Sequence, residues 1–213
     1  MDTNRINLQL FRKTFLSMVC FSGEQVRLWK PDFCRDNFAR WIASGEILRL
    51  RRNLYTFPEY LQIPNSALYF ANQIYRPSYV SLHTALHFHG VIPEEVVQFT
   101  SVSTLKTAYF QNAFGSYTFH HISASYMFGY ELKKAEGQVP FVIQMATPEK
   151  AIIDLLHLYP EYSSAEDMLN LRMNEYYMER EIDLGRLLEY TNRINSPTLT
   201  KRVNLLREAY GRL

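Results

Sequence analysis

Cysteine is nearly missing from this chain, with Cys20 and Cys34 alone among 213 residues. Two cysteines are too few for a disulfide framework and lack the paired spacing of a zinc site. They read instead as two small buried hydrophobes in a reducing compartment. No apolar run approaches the ~20 residues that span a bilayer. The N-terminal stretch carries Asp2, Thr3 and Asn4 and no uninterrupted apolar core, so a secretory leader is not expected and a cytoplasmic location is. Glycine-rich phosphate loops are also absent: neither G-x-x-x-x-G-K-[ST] nor G-x-G-x-x-G occurs. The G-[ST] plus paired aspartates of a nucleotidyltransferase are missing too. There is no internal repeat and no low-complexity tract.

The chemistry-bearing side chains that remain do not assemble a catalyst on paper. Ser101, Ser103 and Thr104 stand beside Lys106, but no base or oxyanion arrangement accompanies them. His83 and His87 have the i, i+4 spacing that puts two imidazoles on one helix face, with His89 just beyond and His120-His121 later. No H-E-x-x-H glutamate and no nearby Cys or Asp completes a ligand set. Core or surface histidine is the expectation, with no metal, no cofactor and no enzymatic activity.

Charge of one sign is lacking overall, but it is not evenly spread. Residues 1–60 hold ten Lys/Arg against six acids, a balance of +4, while the whole chain is +2, leaving −2 for the rest. The net positive excess is therefore confined to one segment, as expected where phosphates are met.

Within it lies the most informative stretch, PDFCRDNFARWIASGEILRLRRNLYTF over residues 31–57. Asp32 after Pro31 is placed to cap a helix. Cys34, Phe38, Trp41 and Ile42 fall at i, i+4, i+7 and i+8, one apolar stripe. Asp36, Ala39, Arg40 and Ala43 occupy the opposite side, with Arg35 and Asn37 on the flanks. Ser44-Gly45 ends the helix, glycine accepting the left-handed cap conformation. Leu48 and Leu50 then alternate with Arg49 and Arg51. Arg52-Asn53 makes a turn, since asparagine tolerates positive φ, and Tyr55 and Phe57 return as apolar cover. Helix, tight turn and arginine-bearing ribbon predict the second half of a winged helix-turn-helix. Arg35, Asn37 and Arg40 are the side chains expected at base edges, arginine and asparagine being able to bind guanine and adenine bidentately. Arg49, Arg51 and Arg52 are expected on phosphates or in the minor groove.

Punctuation divides the chain into a winged head over residues 1–60, a mixed α/β domain over 61–160 and a helical tail over 161–213, an α+β protein overall. Helices are expected near Arg5–Ser17, at Ser22–Trp29, Asn65–Tyr75 and Ser81–His89, the last capped by Ser81. Strand-like runs follow at Val96–Val102, Ala108–Phe110, Tyr117–His121 and Phe141–Met145. Thr147-Pro148-Glu149-Lys150 opens a buried helix with cap, proline and first-turn acid in place, and Lys150 and Asp154 stand four apart to pair. Amphipathic tail helices are expected at Ala165–Tyr177, Leu184–Ile194 and Leu199–Tyr210. The aromatic load from Tyr109 to Tyr130 reads as core, or failing that as a partner-binding face.

The series GEILRLRRNLYTF, YVSLHTALHFHGVIPE, TSVST, FGSYTFHHI, FGY and ATPEKAIIDLL resembles the AbiEi-type antitoxin family of type IV toxin–antitoxin systems, in order and spacing over roughly residues 20–158. The resemblance implies a winged head joined to an antitoxin domain. It implies a repressor of its own operon that binds double-stranded operator DNA, with a homodimer on that DNA open. It also implies a functional partner, a nucleotidyltransferase-like toxin, with no stable complex required. The residues that would carry antitoxin activity are not identified by it. Asn53 stands where the family usually has glycine, and the tail beyond Pro160 lies outside the resemblance. The alternative is a winged-helix regulator outside any toxin–antitoxin pair, whose second domain senses a ligand or a protein.

Overall fold

The computed structural model describes residues 7–134 and 141–211 and is a mixed α+β protein. The first expected helix extends beyond these bounds at Arg5; its described part is α1, Leu8–Phe15, capped by the Asn7 side chain, which accepts from the Gln9 N–H at 2.9 Å. A 3-10 turn leads to β1, Cys20–Ser22, and then to α2, Gly23–Trp29. A Ser22/Gln25 capping box satisfies two of the free N–H groups at the start of α2. Next come α3, Asp36–Ala43, and the hairpin β2, Leu48–Arg51, with β3, Leu54–Thr56. The three strands form an antiparallel sheet in the order β1-β3-β2. Phe11 is the hub: seven aromatic rings (Phe15, Phe21, Trp29, Phe33, Phe38, Trp41, Phe57) lie with centroids 4.7 to 6.4 Å from its own.

The start of α3 departs from expectation. Arg35, not Asp32, sits at the N-cap and makes no side-chain cap bond. Asp32 lies 3.7 Å from the Lys30 ammonium instead. The chain turns at this point, the Phe33 N–H donating to the Lys30 carbonyl at 3.1 Å, which carries Phe33 into the core. Burying that ring is worth roughly 2–3 kcal/mol, more than the ~1 kcal/mol of a cap, so packing resets the helix register. Cys34 is consequently exposed and Cys20 only half-buried, contrary to the buried pair the composition suggests. The far end follows the sequence, with Gly45 at φ 74°.

After a 3-10 turn at Pro58–Gln62 come α4, Ser66–Ile74, β4, Ser78–Val80, and α5, Leu82–Phe88. Four strands follow: β5, Gln98–Ser103; β6, Ala108–Asn112; β7, Gly115–His121; and β8, Tyr130–Lys134. β9, Val142–Ala146, completes a mixed six-stranded sheet in the order β6-β7-β5-β4-β9-β8. Two of these strands escape the sequence reading. β4 has only three residues, all buried, and β8 (YELKK) looks like a solvated charged segment. Of the aromatic run, Tyr117 and Phe119 are fully buried, whereas Tyr109 is 57% exposed on the β6 edge.

α6, Pro148–Leu158, carries the expected Thr147 cap and N1 proline, and nearly every residue from Glu149 to Leu156 is buried. Lys150 and Asp154 pair through their side chains with essentially no solvent contact. The Tyr79 hydroxyl (2.9 Å) and the Ser81 hydroxyl (2.7 Å) both donate to the other Asp154 oxygen. Ser81 is therefore not the side-chain cap of α5; its hydroxyl is taken by Asp154. The Lys150 ammonium also lies 4.9 Å from the centre of the Phe128 ring. Every polar group of the pair thus meets a partner, the condition under which buried charge is tolerated.

The tail holds α7, Ala165–Asn170, α8, Glu175–Arg180, α9, Leu184–Ile194, and α10, Pro197–Ala209. The single helix expected over Ala165–Tyr177 is broken at Arg172, φ 50°, because Leu171 and Met173 are both buried and cannot share one helix face. Asn174 caps α8 with its side chain and donates its N–H to the Val91 carbonyl at 2.7 Å, fastening the break to the loop after α5. Leu187, Leu199, Val203 and Leu206 are buried, and Arg202 donates to the Leu156 carbonyl at 2.7 Å, so the tail closes over α6. One hydrophobic core runs from Phe11 to Leu206. The N-terminal unit joins it through Tyr60, whose ring meets Phe70 and Phe141, and through Asn112, whose amide donates to the Leu50 carbonyl at 3.1 Å.

Candidate nucleic-acid interface

Three of the six side chains singled out by sequence converge. Arg35 at the start of α3, Arg49 in β2 and Arg52 at the hairpin turn line one cleft of about 370 Å³ with Gly23, Glu24, Phe38, Ala39, Asn53 and Tyr55. The floor is rigid: the Phe38 and Tyr55 rings stack at 4.5 Å and 17°. Alternation in β2 sends Leu50 into the core and Arg49 and Arg51 to solvent, which is what lets Arg49 meet the start of α3.

The other three stand apart from the cleft. Arg40 is exposed on α3 and donates to the Asn37 side-chain oxygen at 2.7 Å, so these two form a polar pair of their own. Arg51 donates to the Arg52 carbonyl at 3.2 Å, and a bulge between Arg49 and Arg51 turns it away. Among the described residues, no acidic side chain forms an ion pair with Arg35, Arg40, Arg49, Arg51 or Arg52. Their charge is left available to an external anion.

Asn53 and Gly23 add to the cleft what the sequence did not show. Asn53 has φ 63°, as a tight turn needs, but its side chain also works. Its oxygen accepts from the Gly23 N–H at 3.2 Å and its amide donates to the Glu24 carboxylate, pinning the hairpin tip to the start of α2. Hydrogen bonds from its own backbone N–H and from Asn53 hold the Glu24 carboxyl below its ordinary pKa. The only sequence signal for this clamp is an asparagine at a turn, where backbone tolerance already explains the residue type. Gly23 adds its own constraint: a Cβ there would lie 2.5 Å from the Asn53 oxygen.

The residues considered for other chemistries do not gather at one place, though His83 and His120 share the Tyr159 ring. Ser103 donates to the Pro77 carbonyl at 2.6 Å, and the buried Ser101 hydroxyl has no hydrogen-bond partner among the described residues. His83 and His120 pack against Tyr159, while His87 is exposed and His89 lies 2.9 Å from the Ala146 carbonyl. Burial lowers the pKa of His83, His89 and His120 alike. No helix among the described residues is long and apolar enough to cross a membrane. Neither a protein-family model nor a curated protein matches the chain.

Proposed function

We propose that this chain is a type IV antitoxin that binds operator DNA through an N-terminal winged helix-turn-helix, represses its own operon and counters a co-encoded nucleotidyltransferase-like toxin. The observation that carries the DNA-binding part is the element order α1-β1-α2-α3-β2-β3, closed by a β1-β3-β2 sheet. In a winged helix that order leaves α3 free to enter the major groove while the β2–β3 hairpin lies along the backbone. Arg40 and Asn37 are the reading side chains in this scheme, while Arg35, expected from the sequence at a base edge, lines the cleft with Arg49 and Arg52 and holds phosphate with them. Arg51 reaches the backbone beyond the bulge. Phosphate contacts set register and bulk affinity, and base-edge contacts set sequence preference.

The antitoxin part is supported by where the resembling stretches lie. SLHTALHFHG covers α5, TSVST covers most of β5, FGSYTFHHI runs through β7, and ATPEKAIIDLL is the end of β9 with α6. These four stretches lie on α5, α6 and three strands of the six-stranded sheet, while GEILRLRRNLYTF lies on the β2–β3 hairpin of the N-terminal unit.

The test is binding of the full chain to the DNA upstream of its own gene, against scrambled DNA, across a salt series. Tight, salt-sensitive binding that prefers the upstream fragment is the expected result. Equal and weak binding to both overturns autoregulation. Co-expression with the adjacent open reading frame tests the second part: the chain should restore growth if that frame encodes the toxin, and failure to do so removes the antitoxin role.

A further inference from the structure

β8 is the last strand of the six-stranded sheet, and among the described residues no strand pairs with its outer edge. An unpaired edge presents a row of free backbone donors and acceptors, a template for another strand. Tyr130, Glu131, Leu132 and Lys134 are all exposed, and Leu132 is 65% so, a large apolar side chain at the middle of a bare edge. The opposite edge differs. β6 (AYFQN) carries no charge, and its end is engaged by the N-terminal unit through Asn112.

The order of residues in β8 supplies the occupant. Side chains alternate along a strand, so Glu131 and Lys133 share one face, and Tyr130, Leu132 and Lys134 share the other. The Lys133 ammonium lies 2.9 Å from the Glu131 carboxylate, as this placement requires. Consider a second β8 laid antiparallel about a two-fold at Leu132. Glu131 then stands opposite the partner's Lys133, and Lys133 opposite the partner's Glu131. Tyr130 faces the partner's Lys134, and the two exposed leucines meet at the axis. A two-fold centred one residue either way would instead set glutamate against glutamate or lysine against lysine. An isologous contact requires one patch that complements itself, and YELKK does so in this register alone among the three.

We propose that β8 pairs antiparallel with β8 of a second copy of this chain, joining two six-stranded sheets into one continuous sheet. Directly opposed unlike charges stabilise such a pairing and like charges oppose it. The proposal does not depend on the DNA-binding reading, and its test uses no DNA.

The experiment is sedimentation of the full chain over a wide concentration range, in four forms: wild type, Glu131→Lys, Lys133→Glu and the double charge swap. The wild type should associate reversibly to a dimer. Each single substitution gives positions 131 and 133 the same charge and should weaken dimerisation by roughly tenfold or more, since both cross-strand pairs then oppose like charges. The swap restores unlike pairs and should recover the dimer, and an equimolar mixture of the two single variants should form the mixed dimer. Circular dichroism of each form checks that the fold is intact, as expected for exposed side chains. A wild type that stays monomeric, a dimer indifferent to the single substitutions, or a swap that fails to recover association overturns the proposal.

Discussion

The N-terminal unit and the sheet around α6 treat charge in opposite ways. In the first, the interior is mostly aromatic, centred on Phe11 with Val26, Ile47 and Leu50 beside it, and five exposed arginines lie around α3 and the hairpin without an acidic partner among the described residues. In the second, a lysine and an aspartate sit at the centre of the core with every contact satisfied by Tyr79, Ser81 and Phe128. Charge outside and unpaired is available for binding and costs the fold little. Charge inside and paired is available to nothing and makes the fold sensitive to each partner. Under the proposed function, binding falls to the first region and architecture to the second, and each half can be broken at named residues.

The largest expected effect is on the buried pair. Asp154→Ala leaves Lys150 without its counter-charge and should destabilise the chain by about 3–5 kcal/mol in denaturant unfolding. Replacing both partners by apolar residues of similar size should cost much less. If the single and double variants unfold alike, the pair is not the keystone described above.

Arginine substitutions should behave in reverse. Arg40→Ala should weaken operator binding by roughly 1–3 kcal/mol and relax sequence preference, with unfolding changed by no more than about 0.5 kcal/mol. Arg51→Ala should weaken specific and non-specific DNA binding alike and flatten the salt dependence. Binding isotherms beside melting curves check both halves, and loss of stability without loss of affinity would reverse the assignment.

Asn53 sharpens the boundary between the two roles. Asn53→Ala should lower stability by about 1–2 kcal/mol, from hydrogen bonds worth ~1 kcal/mol net and a strained left-handed backbone. Asn53→Gly keeps the backbone comfortable and should lose less. Thermal melts of the two variants separate the clamp from the turn.

Mild acid should act first on one region. All six histidines lie beyond residue 60. Burial depresses His83, His89, His120 and His157, so in the folded chain they favour the neutral form. The unfolded chain binds more protons between the folded values and ~6.5, so this contribution is present above ~6.5 and is lost as pH falls through the folded values. Hydrogen exchange below that pH should quicken in the sheet before it does in α1–α3. Simultaneous loss of protection would show that the two regions unfold as one unit.

Local chemistry was legible in the residues themselves. The helix at Ser22–Trp29, Thr147 with Pro148, Gly45 and the Leu184–Ile194 helix all satisfy rules that act within a few positions, and neighbours suffice to read them. The exposed arginines were legible for the same reason, since strand alternation and helix periodicity decide which way each points. Tertiary structure decided what depends on distant partners. Phe33 abandoned a longer helix because a ring core was waiting for it, Ser81 gave its hydroxyl to Asp154 rather than to its own helix, and Asn53 reached back to Gly23. β4 became a strand because β5 and β9 flank it, and β8 because β9 lies beside it. In each case a contact with residues far along the chain outweighed the local preference, and no window of sequence contains both sides of such a contact.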